Sequence, residues 1–134
     1  MLVKVIRYLY PDLQLFPNGP VQIVDRADGM GAQIAVWRDP RPQPTPAEIA
    51  AAELPSAKAA AIAANRAECS ARIYARYPPG RQLSALAGLY DSANMATMTD
   101  WIAANISAEN TAADEIEAAT TVAAVEAVTV AWPV

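Results

Sequence analysis

Alanine supplies 31 of the 134 residues, and this limits the possible folds more than any motif does. It forms helix better than any other residue but buries little apolar area. Hydrophobic residues make up 54% of the chain, yet without alanine only 41 residues carry core-forming bulk. The composition implies thin, alanine-packed helices, modest cores and support from partners. The length suits one domain, or two small units sharing a core.

Several kinds of chemistry are closed to such a chain. With no histidine, Ser-His-Asp and Cys-His catalysis and histidine-ligated metal sites are impossible within it. Cys69 is the only cysteine, which excludes an intrachain disulfide and any CxxC redox or zinc site; on an alanine-rich helix it reads as a small buried hydrophobe. The expectation is a non-enzyme with no cofactor and no metal. Lys4 and Arg7 interrupt the apolar start MLVKVIRYLYPD, which argues against a secretory signal. No apolar run reaches the length of a membrane span, so membrane insertion is not expected. The net charge of −4 is unevenly spread: residues 1–90 carry +3, and residues 91–134 carry seven acids and no base.

The chain reads as α+β: a small β unit (1–39), a proline-rich spacer (40–46), and a helical region with a short extended tail (47–134). Leu2, Val3, Val5, Ile6 and Leu9 read as a short strand ended by Pro11, and Pro17–Pro20 as a turn cluster. VQIVD (Val21–Asp25) and QIAVW (Gln33–Trp37) read as the arms of a hairpin, with Asp28, Gly29 and Gly31 in its loop. A small antiparallel sheet of two or three strands follows. In RDPRPQPTP, four prolines in nine residues favour an extended, semi-rigid spacer. Thr45, Pro46 and Glu48 then form a helix start.

Helix is expected from Pro46 to Tyr77, with the chain either restarting or kinking at Pro55. Ile62, Cys69, Ile73 and Tyr77 make a narrow apolar stripe, and Lys58, Arg66, Arg72 and Arg76 a basic surface. After Pro78-Pro79-Gly80, a short helix from Arg81 to about Tyr90 carries Leu83, Leu86 and Leu89 on one side. The last long helix, Ala93–Ala118, has Met95, Met98, Ile102, Ile106, Ala113 and Ile116 at helical spacing, flanked by Trp101. Asn105 and Glu109 are polar departures on a near-heptad seam, where they lower stability or fix register. A helical hairpin or bundle results. Asp114, Glu115 and Glu117 sit at the unfavourable end of this helix's dipole, and the basic helix of this or a neighbouring chain is the candidate to offset them. Thr120 or Thr121 caps a further turn, VAAVEA.

Each candidate site also has a plainer reading. Asp25 and Asp28 lack the ligand spacing of a calcium loop and read better as hairpin-loop aspartates. Gly29-Met30-Gly31 lacks the setting of a phosphate loop. The acids Asp114, Glu115 and Glu117 splay over different helix faces, which suits a solvated or subunit-pairing surface. The arginines could follow nucleic-acid phosphates, but few aromatics are interleaved and the acidic half would repel that ligand. Trp37 and Trp132 end extended segments, as caps of small cores or as interface anchors.

Asp28, Gly29, Gly31, Ile34, Trp37, Pro42, Pro44, Thr45 and Glu48, within DGMGAQIAVWRDPRPQPTPAE, form a pattern that resembles small tail-associated proteins of bacteriophages, closest to the XkdW-like group. A second stretch, with Arg66, Glu68 and Cys69 followed by IEAATTVAAVEAV, is similar to domains of phage tail-fibre and tail-assembly proteins. The resemblance implies a non-enzymatic component of the tail, fibre or baseplate, located in the virion tail and in the host cytoplasm during assembly. Its implied partners are other tail or fibre subunits and further copies of itself, a trimer being typical of fibres. The alternatives are a transient fibre-assembly chaperone and, in another class, a small regulatory nucleic-acid-binding protein using the basic helix. The expected docking residues are Asp25, Asp28, Gly29, Gly31 and Trp37 on one surface. Arg66, Arg72 and Arg76 facing Asp114, Glu115 and Glu117, with Trp101, form the other.

Overall fold

The computed structural model describes residues 1–134. They form two compact units, Met1–Ala57 and Lys58–Val134. The chain is α+β, with one two-stranded antiparallel sheet and five helices.

The first unit opens with helix α1, Leu2–Leu9, where the sequence suggested a strand. The correction follows from spacing. Leu2, Val5, Ile6 and Leu9 recur at three- and four-residue steps, the period of a helix face rather than the two-residue period of a strand. Val5 and Ile6 are fully buried, while Lys4 and Arg7 remain exposed. The β-branched residues suit a strand locally, but burial of this one stripe outweighs that weak preference.

Strands β1 (Val21–Asp25) and β2 (Ala32–Trp37) pair antiparallel, with Val21 opposite Trp37 and Ile23 opposite Ile34. A bulge at Ala35 shifts the register between these pairs. No third strand forms; Leu15 makes only an isolated bridge to Val21. Ile6, Leu13 and Val21 make the core, and Leu2, Tyr10, Leu15, Ile23, Ile34 and Trp37 pack around it. A two-stranded ribbon is marginal in water; here α1 covers its apolar face.

The proline-rich segment is no free spacer. Pro44 is buried, the Tyr10 hydroxyl donates to the Pro42 carbonyl at 3.0 Å, and Trp37 Nε1 donates to the Arg41 carbonyl at 2.7 Å. The segment therefore lies inside the first compact unit, whose boundary comes later, after Ala57.

Helix α2 runs from Pro46 to Arg76 and passes through Pro55 without a restart. Its start is a reciprocal capping box: the Glu48 N–H donates to Thr45 Oγ1 at 3.2 Å, and the Thr45 N–H to Glu48 Oε2 at 2.7 Å.

In the second unit, α2 from Lys58 onward runs antiparallel to α4 (Ser92–Ala118). The pairs Lys58–Glu117, Arg66–Glu109, Arg72–Asn105 and Tyr77–Trp101 fix this register. Between them lies α3, Pro79–Leu86, which begins two residues before the expected Arg81 because Pro79 suits the first helical turn. It ends before Tyr90 because Gly88 takes a left-handed φ of +78°. Helix α5 (Val122–Ala127) is capped by Thr121 Oγ1, and residues 128–134 form an irregular tail.

The buried seam of α4 is Met98, Asn105, Glu109, Ala112 and Ile116. Ile106, expected on the stripe, is 45% exposed, and Met95, Ile102 and Ala113 are half-buried. The shift has a polar cause: Arg72 gives the Asn105 side chain a partner, so the asparagine can occupy the centre of the seam. No helix is long and apolar enough to cross a membrane.

Candidate docking surfaces

The hairpin loop is shaped by its own side chains. Asp25 Oδ1 accepts the Ala27 N–H, and Asp28 Oδ1 accepts the Met30 N–H, both at 2.9 Å. Gly29 and Gly31 have φ of +81° and +72°, a region that glycine enters without a Cβ penalty. The two aspartates are thus turn-formers. Between the glycines Met30 stands 75% exposed, which no local pattern in the sequence signals.

Trp37 belongs to a second cluster, at the base of the ribbon. Its ring meets Tyr10 edge-on, with centroids 5.3 Å apart. The Arg41 guanidinium lies 4.9 Å over the Tyr10 ring, and donates to Asp39 through Nε at 2.6 Å and Nη2 at 2.9 Å, and to Asp12 through Nη1 at 2.8 Å. These hydrogen bonds hold the Asp39 carboxyl down to about 2 against the opposing effect of burial, and also lower that of Asp12. Trp37 is half-buried in this network, as a cap on the core. Arg41, Asp39 and Asp12 were missed from sequence because two of the partners lie 29 residues apart, beyond any local pattern.

In the second unit, the arginines do not meet the acids expected for them within the chain. Arg66 approaches Glu109, with Nε 3.7 Å from Oε1. Arg72 bonds Asn105 and the Pro133 carbonyl, and its guanidinium lies 5.3 Å over Trp132. Arg76 stacks 4.7 Å over Trp101, whose ring meets Tyr77 edge-on. Asp114, Glu115 and Glu117 are exposed, and their carboxylates form no ion pair in the chain. The basic helix does reach this end of α4, through Lys58, whose ammonium donates to the Glu117 backbone carbonyl. A cation there offsets the helix dipole. Cys69 is buried, and desolvation, followed by the nearby Glu109 charge, pushes its thiol up. No group of His, Cys, Asp and Glu is placed to hold a metal ion.

The largest departure from expectation is on and after α3. Ala85 is its buried residue, while Leu83, Leu86 and Leu89 are 69%, 77% and 76% exposed. Leu83 and Leu86 are three apart on α3 and share a side, whereas Leu89 follows the left-handed Gly88 and is off the helix. Spacing alone could not show that nothing in the chain covers them. Tyr74 is also exposed.

The hairpin, the docked proline segment and the capping box form one continuous stretch that a comparison with known families also picks out. Residues 2–62 match the XkdW protein family. Over that stretch the chain is similar to XkdW proteins, a phage-associated family. The XkdW match takes in all of the first unit after Met1 and stops early in the second. The second resemblance, at Arg66–Cys69 and the α4–α5 region, lies beyond the XkdW residues. No curated protein and no solved structure matches the chain.

Proposed function

We propose that this is a non-enzymatic phage tail protein, an accessory or structural component of the fibre or baseplate that works by docking to other tail subunits. The observation that carries the reading is apolar surface left uncovered on both units: Met30 on the hairpin tip, and Leu83, Leu86 and Leu89 around α3. Isolated exposed leucines are ordinary, but three within seven residues, Leu83 and Leu86 on α3 and Leu89 just after it, concentrate uncovered apolar surface in one short segment. The phage-related XkdW match is consistent with tail subunits as the partners. Copies of the same chain are a further expected partner, and the virion tail the expected location.

Mass spectrometry of purified particles tests this directly. A component of the tail is present at fixed stoichiometry. Absence from particles, together with loss of fibres when the gene is deleted, assigns the chain instead to transient assembly. Absence with normal fibres overturns the proposal.

A further inference from the structure

The β-ribbon has two edges, and the chain treats them differently. Beside β1, Leu15 bridges to Val21 and the Phe16 N–H donates to the Val21 carbonyl at 2.8 Å. Along the outer edge of β2 no strand pairs. Edge strands are usually guarded by a charge, a proline or a bulge. The segment AQIAVW has no charge and no proline, and its bulge at Ala35 bends only the far half. The open edge is therefore Ala32–Ile34.

That half also walls a groove of about 370 Å³, in which Leu2, Ile34, Pro44 and Ile49 supply apolar surface and Gln33 and Glu53 polar groups. Glu53 is half-buried and forms no ion pair in the chain. An extended chain laid along β2 would satisfy the free backbone groups, place every second side chain over the groove, and bring a cation to Glu53.

We propose that the Ala32–Ile34 edge of β2 takes an extended segment of a partner protein as a third strand, apolar at alternate positions and carrying a lysine or arginine for Glu53. A second copy of β2 is a poorer occupant, because the strand contains no base to answer that carboxylate. The inference deepens the docking function proposed above by naming the chemistry of the partner at the first unit.

The test uses the full chain and synthetic capped heptapeptides that alternate valine with lysine, with glutamate, or with proline. At twice its dissociation constant, the lysine peptide should slow amide hydrogen exchange within Ala32–Ile34 about threefold, and the proline peptide should not slow it. Glu53→Lys should weaken the lysine peptide about fivefold and favour the glutamate peptide. No protection at β2, or equal binding of lysine and glutamate peptides, overturns the inference. So does β2 protection that appears without peptide and rises with protein concentration, which would give the edge to a second copy. The peptides involve no phage particle, so failure here leaves the tail reading standing, and absence from particles leaves the groove standing.

Discussion

Arg72 on α2 donates its Nε to Oδ1 of Asn105 on α4 at 3.1 Å, across the middle of the helix pair. Asn105 is fully buried, and its Nδ2 donates to the Trp101 carbonyl at 2.9 Å. Arg72 in turn holds the tail through the Pro133 carbonyl at 2.8 Å. One guanidinium thus ties two helices and the C-terminal segment together. Asn105→Ala leaves it short of an acceptor, and should cost the second unit about 1–3 kcal/mol in urea unfolding followed by Trp101 and Trp132 fluorescence. The double variant Arg72→Met, Asn105→Leu should recover part of that loss, since apolar side chains can replace a buried polar pair, while the contacts of Arg72 with Pro133 and Trp132 stay lost. It should also loosen the helix register, seen as broadened methyl NMR signals, because Arg72–Asn105 is one of two polar pairs across the seam, with Arg66–Glu109, that fix register.

The Arg41 network makes the first unit sensitive to acid. The Asp39 carboxyl falls from an ordinary 3.8 to about 2 in the folded chain. A lowered folded value means the contribution is complete above the unfolded value, and is lost as pH drops from about 4 toward 2. Glu48 is lowered as well, by hydrogen bonds from the Thr45 backbone and hydroxyl. Urea melts read at Trp37 should therefore show stability declining through this window. Asp39→Asn should make the decline shallower without abolishing it.

Ile6 is fully buried in the core of the first unit. Ile6→Ala should cost about 2–5 kcal/mol, a large share of what a unit this small can hold. Loss of the near-ultraviolet signal of Tyr10 and Trp37 at lower urea would show it, with the second unit unchanged.

The triple variant Leu83→Ser, Leu86→Ser, Leu89→Ser separates folding from docking. These side chains are exposed, so each change should move stability by no more than about 0.5 kcal/mol. Incorporation into tails, measured by mass spectrometry of particles, should fall sharply. Unaltered incorporation would remove the patch from the docking surface.

Local chemistry was legible in the sequence, and long-range packing was not. Thr45 and Glu48 announced the α2 start because a capping box is closed by residues three apart. The hairpin was legible for the same reason, in Asp28, Gly29 and Gly31. Leu2–Leu9 is a helix although Val3, Val5 and Ile6 favour a strand locally, because the three- and four-residue spacing of Leu2, Val5, Ile6 and Leu9 matches a helix face. The α4 seam departs from the apolar stripe because Arg72, 33 residues from Asn105 in sequence, makes a polar centre tolerable. Of the candidate site, the hairpin loop was recognised as a unit. The pairing of Arg66, Arg72 and Arg76 with distant acids rested on net charge, which does not specify which side chains meet. Nothing local could show Leu83, Leu86 and Leu89 uncovered, since exposure is a property of the whole unit.

Met30 is held between two glycines in left-handed conformation, with its amide fastened to the Asp28 carboxylate. A loop whose backbone is already fixed surrenders little conformational freedom when something closes over it. The thioether, by contrast, remains pliable and can adjust to an uneven recess. If the tip docks as proposed, a stiff mount bearing a soft contact would let it accept surfaces that differ slightly in shape.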